Sequence, residues 1–180
     1  MHRTVQGTAI VNAIEPSMPG VSRAAVTAGL RLAALAVALS GSLASAQSPR
    51  WTSYSIPETG ASVDFPSSVF TEVAGKADGY GQRFRTSDGR ADLTIQSFPN
   101  DGNGSPAAFL ERRNPPAHIV YKRITANFFV VSSFKGDKIW YDRCNFSSRF
   151  INCVLLNYPA NEKRQWDGIV TRISNTLAGS

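Results

Sequence analysis

Alternation of apolar and polar residues with a period of two recurs between residues 51 and 159, and it limits the fold more than any other feature of the chain. In GQRFRTSDGRADLTIQSF it continues on both sides of Asp88-Gly89, a dipeptide typical of tight hairpin turns. Gly136-Asp137 is a second turn signal. Strands are expected at 51–56, 61–66, 69–74, 81–98 (a hairpin), 118–124, 127–135, 138–146 and 150–159. Tight turns join antiparallel strands, so we predict an antiparallel sheet of about six or seven strands.

Two segments have helical periodicity instead. SPAAFLERR places Ser105 at the N-cap and Pro106 at the first helical position, and the pair of prolines after Asn114 ends the helix. Near the C-terminus, one apolar stripe is formed by Trp166, Ile169, Val170, Ile173 and Leu177. An apolar stripe must pack on another element, and the sheet is the available one. The predicted fold class is α+β, with the sheet covered by a C-terminal amphipathic helix and a short mid-chain helix.

The first 46 residues have the features of a secretory signal peptide. From Met18 they read MPGVSRAAVTAGLRLAALAVALSGSLASAQ, with basic Arg23 and Arg31, an apolar run over 32–39 and a small-residue A-x-A site at 44–46. The apolar run is shorter than the ~20 residues of a membrane span. We therefore predict cleavage after position 46, with translation starting at Met1 or at Met18; a buried N-terminal helix is the alternative.

Cleavage would leave a single globular domain, residues 47–180, with no transmembrane segment. The mature chain would carry 16 Lys and Arg against 12 Asp and Glu, and the basic residues are scattered. Clustered basic residues are the signature of a nucleic-acid-binding surface, so no nucleic-acid partner is expected. The predicted location is the periplasm or the exterior of a bacterium.

The chain contains two cysteines, Cys144 and Cys153, on the two arms of the last predicted hairpin. Direct opposition leaves Ser148-Arg149 as the turn, which is an allowed hairpin geometry. Opposed residues of a non-hydrogen-bonded pair have Cα atoms about 4.5 Å apart, which is within disulfide range. Because export supplies oxidising conditions, we expect a cross-strand disulfide. Two free buried thiols are the alternative that the spacing leaves open.

The sequence contains no motif for catalysis, a metal or a cofactor. Thiol oxidoreductases use C-x-x-C at a helix N-terminus, and zinc needs four ligands, whereas the mature chain has one histidine, His118, beside its cysteines. There is no G-x-S-x-G elbow and no P-loop. We expect no enzymatic activity, metal or cofactor. Proton transfer by His118 or by a pair of aspartates remains the enzymatic alternative.

Basic and aromatic side chains alternate on several strands and are candidates for ligand binding. Arg83 and Arg85 share one face of their strand, Tyr121 and Arg123 share one face of theirs, and Trp140 lies on a third strand. A basic, aromatic sheet face can hold a polyanion or a sugar by stacking and ion pairing. The alternative is that the aromatic residues form the core and the arginines a solvated face.

The phrases ASVDFPSSVF, GYGQRFRTSDGRADLTIQ, SPAAFL, FFVVSSFKGDKIWYDR, LNYP and WDGIVTRISNTL, in this order, resemble small exported proteins of alphaproteobacteria. The order of elements also resembles the PsbP/Mog1-like α/β/α sandwich over about residues 51–178. That resemblance implies the sandwich fold and accessory or binding work, since PsbP-like proteins are non-enzymatic accessory proteins of photosystem II and Mog1-like proteins bind a small GTPase. No partner-binding residue is carried over from either family.

Two functions follow as expectations. The first is an exported, non-catalytic binding or accessory protein of the cell envelope, with another envelope protein or an anionic glycan as partner. The second is a small periplasmic hydrolase that acts on cell-wall or extracellular material.

Overall fold

The computed structural model describes residues 48–102 and 104–179. The predicted signal peptide, residues 1–46, lies outside the described residues, so its cleavage stays a prediction. The described elements are β1 (Trp51–Ser55), β2 (Ser62–Pro66), β3 (Glu72–Lys76), β4 (Tyr80–Arg85), β5 (Asp92–Pro99), α1 (Pro106–Arg112), β6 (His118–Ile124), β7 (Phe128–Lys135), β8 (Lys138–Phe146), β9 (Phe150–Pro159), a 3-10 turn (Ala160–Glu162) and α2 (Lys163–Thr176).

Seven of the strands form one antiparallel sheet in the order β3-β4-β5-β9-β8-β7-β6. All neighbours in this sheet are consecutive in sequence except β5 and β9, which pair along their length. The predicted fold class is therefore confirmed. Strands β1 and β2 form a separate two-stranded sheet. Reciprocal backbone hydrogen bonds of 3.0 and 2.8 Å between Ser62 and Ala178 join that sheet to the segment after α2.

Helix α2 and the β1–β2 hairpin cover one face of the seven-stranded sheet. The stripe predicted from the sequence faces inward: Trp166, Val170 and Ile173 are buried against sheet residues such as Leu156. Trp166 also stacks on Tyr158, with ring centroids 5.4 Å apart. Burial of such side chains stabilises the fold by roughly 1.5–3 kcal/mol each. No helix within the described ranges is both long and apolar enough to span a bilayer.

Helix α1 covers part of the opposite face. Its N-cap is the predicted one, since the Ser105 hydroxyl accepts a hydrogen bond from the Ala108 amide at 3.2 Å. Leu110 of α1 is buried against Phe129 and the two cysteines. A second, smaller apolar core therefore lies between α1 and the sheet.

Cys144 and Cys153 are directly opposed across β8 and β9, as predicted. Their Cα atoms are 4.1 Å apart and their sulfurs are joined at 2.02 Å. The turn after Ser147 is also the predicted one, because its amide donates to the Phe150 carbonyl at 2.9 Å. The predicted cysteine pair is thus confirmed at disulfide distance.

The hairpin between β4 and β5 has a wider turn than Asp88-Gly89 predicts. The last paired residues are Arg85 and Asp92, and within the loop Gly89 has positive φ whereas Asp88 does not. Asp88 instead accepts hydrogen bonds from the Thr86 hydroxyl at 2.6 Å and the Arg90 amide at 3.0 Å. These side-chain hydrogen bonds add to the backbone hydrogen bonds of the loop, from the Thr86 amide to the Ala91 carbonyl and from the Gly89 amide to the Thr86 carbonyl.

Candidate functional site

The structure separates the predicted binding residues onto two faces of the sheet. Trp140 belongs to the α1-side core. Arg83 is on the same face, because it is in register with Thr94 and Thr94 with Leu155, which packs against that core; Arg85 follows Arg83 by two positions and shares its face. Tyr121 and Arg123 pair with strand positions that face α2. The single basic, aromatic face that the sequence suggested is therefore not present in this arrangement.

A β-bulge in β6 determines where Tyr121 points. Ile119 pairs with Ser133 and Tyr121 with Ser132, so Val120 is an extra residue with no partner of its own. A bulge of this kind re-aims side chains relative to regular alternation. Val120 and Tyr121 consequently both line the same depression on the α2 side.

This depression, which we call the α2 groove, lies between α2 and strands β6–β9 and has a volume of about 500 Å³. Its lining residues are Val120, Tyr121, Val130, Ser132, Tyr141, Arg143, Tyr158, Lys163, Asp167, Val170, Thr171, Ser174 and Asn175. The groove is thus apolar along part of its length, with a polar base and a charged rim.

Hydrogen bonds organise the base of the α2 groove around Ser174. The Tyr141 hydroxyl donates to the Ser174 oxygen at 2.7 Å, and Arg143 donates to the same oxygen at 3.1 Å. Burial raises the pKa of the Tyr141 hydroxyl, and it raises the pKa of Tyr158 to about 12. Both phenols therefore stay neutral at physiological pH and are suited to hydrogen bonding rather than to proton abstraction.

Two guanidinium groups flank the Phe128 ring beside the groove. Arg123 and Arg143 lie 5.4 and 5.2 Å from the ring centroid. Such cation–π contacts hold the basic groups in place while leaving them able to meet an acidic group. This end of the groove is therefore preorganised for negative charge.

Strand β6 borders the groove and is one edge of the sheet. All seven of its residues are exposed, and we call residues 118–124 the β6 edge. Four of them are large apolar side chains: Ile119 is 39% exposed, Val120 53%, Tyr121 50% and Ile124 38%. An exposed apolar edge strand is a template for pairing with another chain.

The opposite face holds a smaller depression, the polar cleft, with a volume of about 250 Å³. Arg83, Gln96, Arg113 and Trp140 are among its lining residues. Trp140 forms part of the base of the cleft and is only 6% exposed. Arg83 and Trp140 are therefore the two predicted residues that the fold brings together on this face.

A buried ion pair lies at the base of the polar cleft. Asp142 is fully buried and accepts a hydrogen bond from Arg113 Nε at 2.9 Å. With its carbonyl oxygen turned towards the guanidinium, the Gln96 amide accepts from both terminal nitrogens of Arg113 at 3.0 Å. Burial raises the pKa of the Asp142 carboxyl to about 6, and the Arg113 charge opposes this shift.

The surroundings of Asp142 indicate a structural rather than a catalytic carboxylate. Its side chain has no exposure to solvent, so a substrate cannot contact it in this conformation. It also lies within metal-ligand distance of Cys144 and Cys153. Zinc is bound by cysteine thiolates. The sulfurs of Cys144 and Cys153 are joined in a disulfide, so neither of them is a thiolate in this structure.

The remaining predicted residues have local partners or none. Arg85 forms an exposed ion pair with Glu72 at 2.7 Å, which occupies its guanidinium. His118 is exposed at the start of β6, and within the described ranges its imidazole has no hydrogen bond or ion pair. Nothing in its surroundings orients the imidazole as a base needs.

Of the residues that line the α2 groove, only Tyr121 was among the candidates from the sequence, and Arg143 and Ser174 are the most informative of those that were missed. Arg143 follows Tyr141 by two positions, so strand alternation places both on one face. Ser174 is a polar residue four positions after Val170, within the apolar stripe of α2. A hydroxyl on the buried face of a helix needs a partner, which is the signal that could have identified this pair.

The fold is that of an α+β protein with an antiparallel sheet between a C-terminal helix and a short mid-chain helix. The same arrangement occurs in the solution structure of cyanobacterial PsbP (CyanoP) from Synechocystis sp. PCC 6803. The match has a TM-score of 0.55 and covers 78% of this chain and 98% of that chain, at 10% sequence identity. The fold is therefore PsbP-like. No protein-family model and no curated protein sequence matches the chain.

Proposed function

We propose that this chain is an exported, non-catalytic accessory protein of the bacterial cell envelope that binds a partner protein through the α2 groove and the β6 edge. One observation carries the proposal. The β6 edge exposes four large apolar residues: Val120 and Tyr121 line the open groove, and Ile119 and Ile124 lie on the other face of the same strand. Contiguous exposed apolar residues next to a concave surface are typical of interaction sites.

Export is supported by two independent features. The segment from Met18 to position 46 has the three parts of a signal peptide in the correct order. Cys144 and Cys153 form a disulfide, and disulfides persist in oxidising compartments. The resemblance to PsbP-like accessory proteins also favours binding over catalysis.

The hydrolase alternative has less support. His118 is exposed and has no orienting partner in the described residues, and the carboxylate with a raised pKa, Asp142, is sealed from solvent. An acid–base pair must reach its substrate from a shared cleft. An anionic glycan is the remaining alternative partner, and the experiment below distinguishes it.

The test is affinity capture from envelope extract with the exported protein as bait, using two matched variants. Val120→Ser combined with Tyr121→Ser removes the apolar surface where β6 meets the groove. Val73→Ser removes an apolar side chain that is 69% exposed on the opposite edge strand, β3, and serves as the control. Melting curves of all three proteins establish that each is folded.

We expect one discrete protein to be retained by the unmodified chain and by Val73→Ser. The double variant should retain it at least about tenfold less, as expected for the loss of central apolar contacts. Equal retention by all three baits would contradict the proposal. Loss of retention after digestion of the glycan, with no protein recovered, would favour the glycan alternative.

A further inference from the structure

The two edges of the seven-stranded sheet differ in how they are protected. At β3 a bulge lies between Val73 and Lys76, and Glu72 is engaged in an ion pair with Arg85. Bulges and charges of this kind blunt an edge against pairing. The β6 edge also has a bulge, at Val120, and two charged residues, Lys122 and Arg123. Neither charge is in an ion pair within the described residues, however, and pairing is regular from Tyr121 to Ile124. The β6 edge is therefore the edge at which a further strand can be added.

The charge of the β6 edge is of one sign. Lys122 and Arg123 are basic, and residues 118–124 contain no acidic residue. The two basic side chains point to opposite faces, because Lys122 pairs with Val131 and Arg123 with Val130. Each face of the strand therefore combines basic and apolar side chains: Arg123 with Tyr121 on one, and Lys122 with Ile119 and Ile124 on the other.

Building on the binding role proposed above, we propose that the partner contributes an extended, acidic segment that pairs with β6 as an eighth strand of the sheet. Main-chain hydrogen bonds to a sheet edge provide affinity, and alternate side chains provide specificity. Side chains on one face of the added strand enter the α2 groove beside Tyr121, where Arg143 meets an acidic group. Side chains on the other face meet Lys122 between Ile119 and Ile124.

A second copy of this chain fits the edge less well. Pairing of β6 with β6 would place two lysines and two arginines in one ribbon without an acidic residue to balance them. Like charges on neighbouring strands are destabilising. Charge complementarity therefore favours a foreign acidic strand over self-association.

The probe is a capped, fluorescein-labelled peptide that repeats Val-Glu-Glu-Val, about eight residues long to match a typical strand. This repeat places valine and glutamate on both faces of the added strand. The matched control replaces every glutamate by lysine. We expect the acidic peptide to bind the exported protein, as measured by fluorescence anisotropy, and the basic peptide to bind at least about tenfold more weakly.

Backbone pairing is tested by two N-methylated forms of the acidic peptide. In an added edge strand, alternate amides face the sheet and the others face solvent. Methylation of the amides that face the sheet should abolish binding. Methylation of the amides that face solvent should leave the affinity within about threefold of that of the parent peptide. Equal binding of both forms would overturn strand addition, because it would show that side chains alone are recognised.

Substitutions in the protein test whether Lys122 and Arg123 cause the preference for the acidic peptide. Lys122→Glu combined with Arg123→Glu should invert the preference, so that the basic peptide binds and the acidic one does not. Arg164→Glu, on the exposed side of α2, is the matched control and should keep the original preference. An unchanged preference in the double variant would overturn the proposal.

The remaining outcomes separate this inference from the proposed function. If no peptide binds but the captured partner is still lost in the Val120/Tyr121 double variant, strand addition is wrong and the binding function stands. If neither peptide nor partner depends on these residues, both are wrong. The protein could also be a dimer in solution that the Val120/Tyr121 double variant converts to a monomer. That result would show that a second copy of the chain occupies the β6 edge, and it would overturn the proposal of an acidic partner strand.

Discussion

The buried carboxyl of Asp142 should make the stability of this protein depend on pH in a specific direction. Burial raises its pKa from 3.8 to about 6 in the folded chain. Between these two values the folded state holds a proton that the unfolded state has released. The free energy of unfolding contributed by this group therefore increases as the pH falls from about 6 to about 4, and it is lowest above pH 6.

The expected size follows from the shift itself. A displacement of about two pKa units corresponds to about 3 kcal/mol between the fully ionised and fully protonated limits. The hydrogen bond from Arg113 Nε at 2.9 Å is already included, because it stabilises the ionised form and limits the displacement. Without Arg113 the carboxyl would be protonated to still higher pH.

The perturbation is Asp142→Asn, which keeps the shape and an acceptor for Arg113 but cannot ionise. Urea unfolding of both proteins at pH 4 and at pH 7 gives the difference in the free energy of unfolding at each pH. We expect the variant to gain about 2 kcal/mol relative to the parent between pH 4 and pH 7, because at pH 4 the unfolded carboxyl is already partly ionised; any constant offset between the two proteins cancels in this difference. The comparison cancels every titration that the two proteins share.

Asp167→Asn is the matched control, since Asp167 forms an exposed ion pair with Lys163 one helical turn away. Its effect on the free energy of unfolding should stay below about 0.5 kcal/mol, as is usual for one exposed ion pair. Parallel stability profiles for the parent and Asp142→Asn between pH 4 and pH 7 would refute the reasoning. That result would mean that Asp142 does not hold a desolvated charge in the folded chain.

Three further predictions concern the fold. Replacing Cys144 and Cys153 by alanine should lower the free energy of unfolding by about 2–3 kcal/mol for a loop with sequence separation 9, and a reductant should destabilise the parent to the same extent but not the double variant. Gly81→Ala should cost more than about 2 kcal/mol in urea unfolding, because its φ is +127° and a methyl group would collide with the neighbouring strand; Gly168→Ala, in open space on α2, should instead stabilise by roughly 0.5–1 kcal/mol, and equal effects would contradict both assignments. Ser105→Ala should cost about 1 kcal/mol and increase amide exchange in α1, whereas unchanged exchange would show that the cap is not formed in solution.

Local patterns in the sequence were sufficient for most of the elements and for the cysteine pair, whereas the strand expected at 69–74 begins at Glu72 and ends at Lys76. The period-2 alternation, the Ser105 cap and the stripe containing Trp166 each depend on neighbours within a few residues, and each appears in the structure. The opposition of Cys144 and Cys153 required only a hairpin with a two-residue turn. Interactions of short range therefore fix the parts of this fold that the sequence predicts.

The candidate site could not be predicted in the same way because it depends on strand order and on one irregularity. Pairing of β5 with β9, far apart in the chain, is what leaves β6 at an edge. The alternation of apolar and polar residues within one strand also does not show which of its two faces lies on the same side of the sheet as a given face of another strand. The bulge at Val120 shifts the phase of β6, so Tyr121 faces α2 while Trp140 faces α1. The register between strands that are distant in the sequence therefore decides which predicted binding residues share a face of the sheet, and residue type alone does not.

The measurement that tests the central claim most directly is site-specific photo-crosslinking in intact cells. A photoreactive amino acid is placed at position 121 on the β6 edge, or at position 73 on the β3 edge as the control, where Val73 is 69% exposed. If β6 binds an envelope partner, position 121 should give one discrete crosslinked species that is absent from position 73. Identical patterns from the two positions, or no crosslink from position 121, would contradict a binding role for this edge.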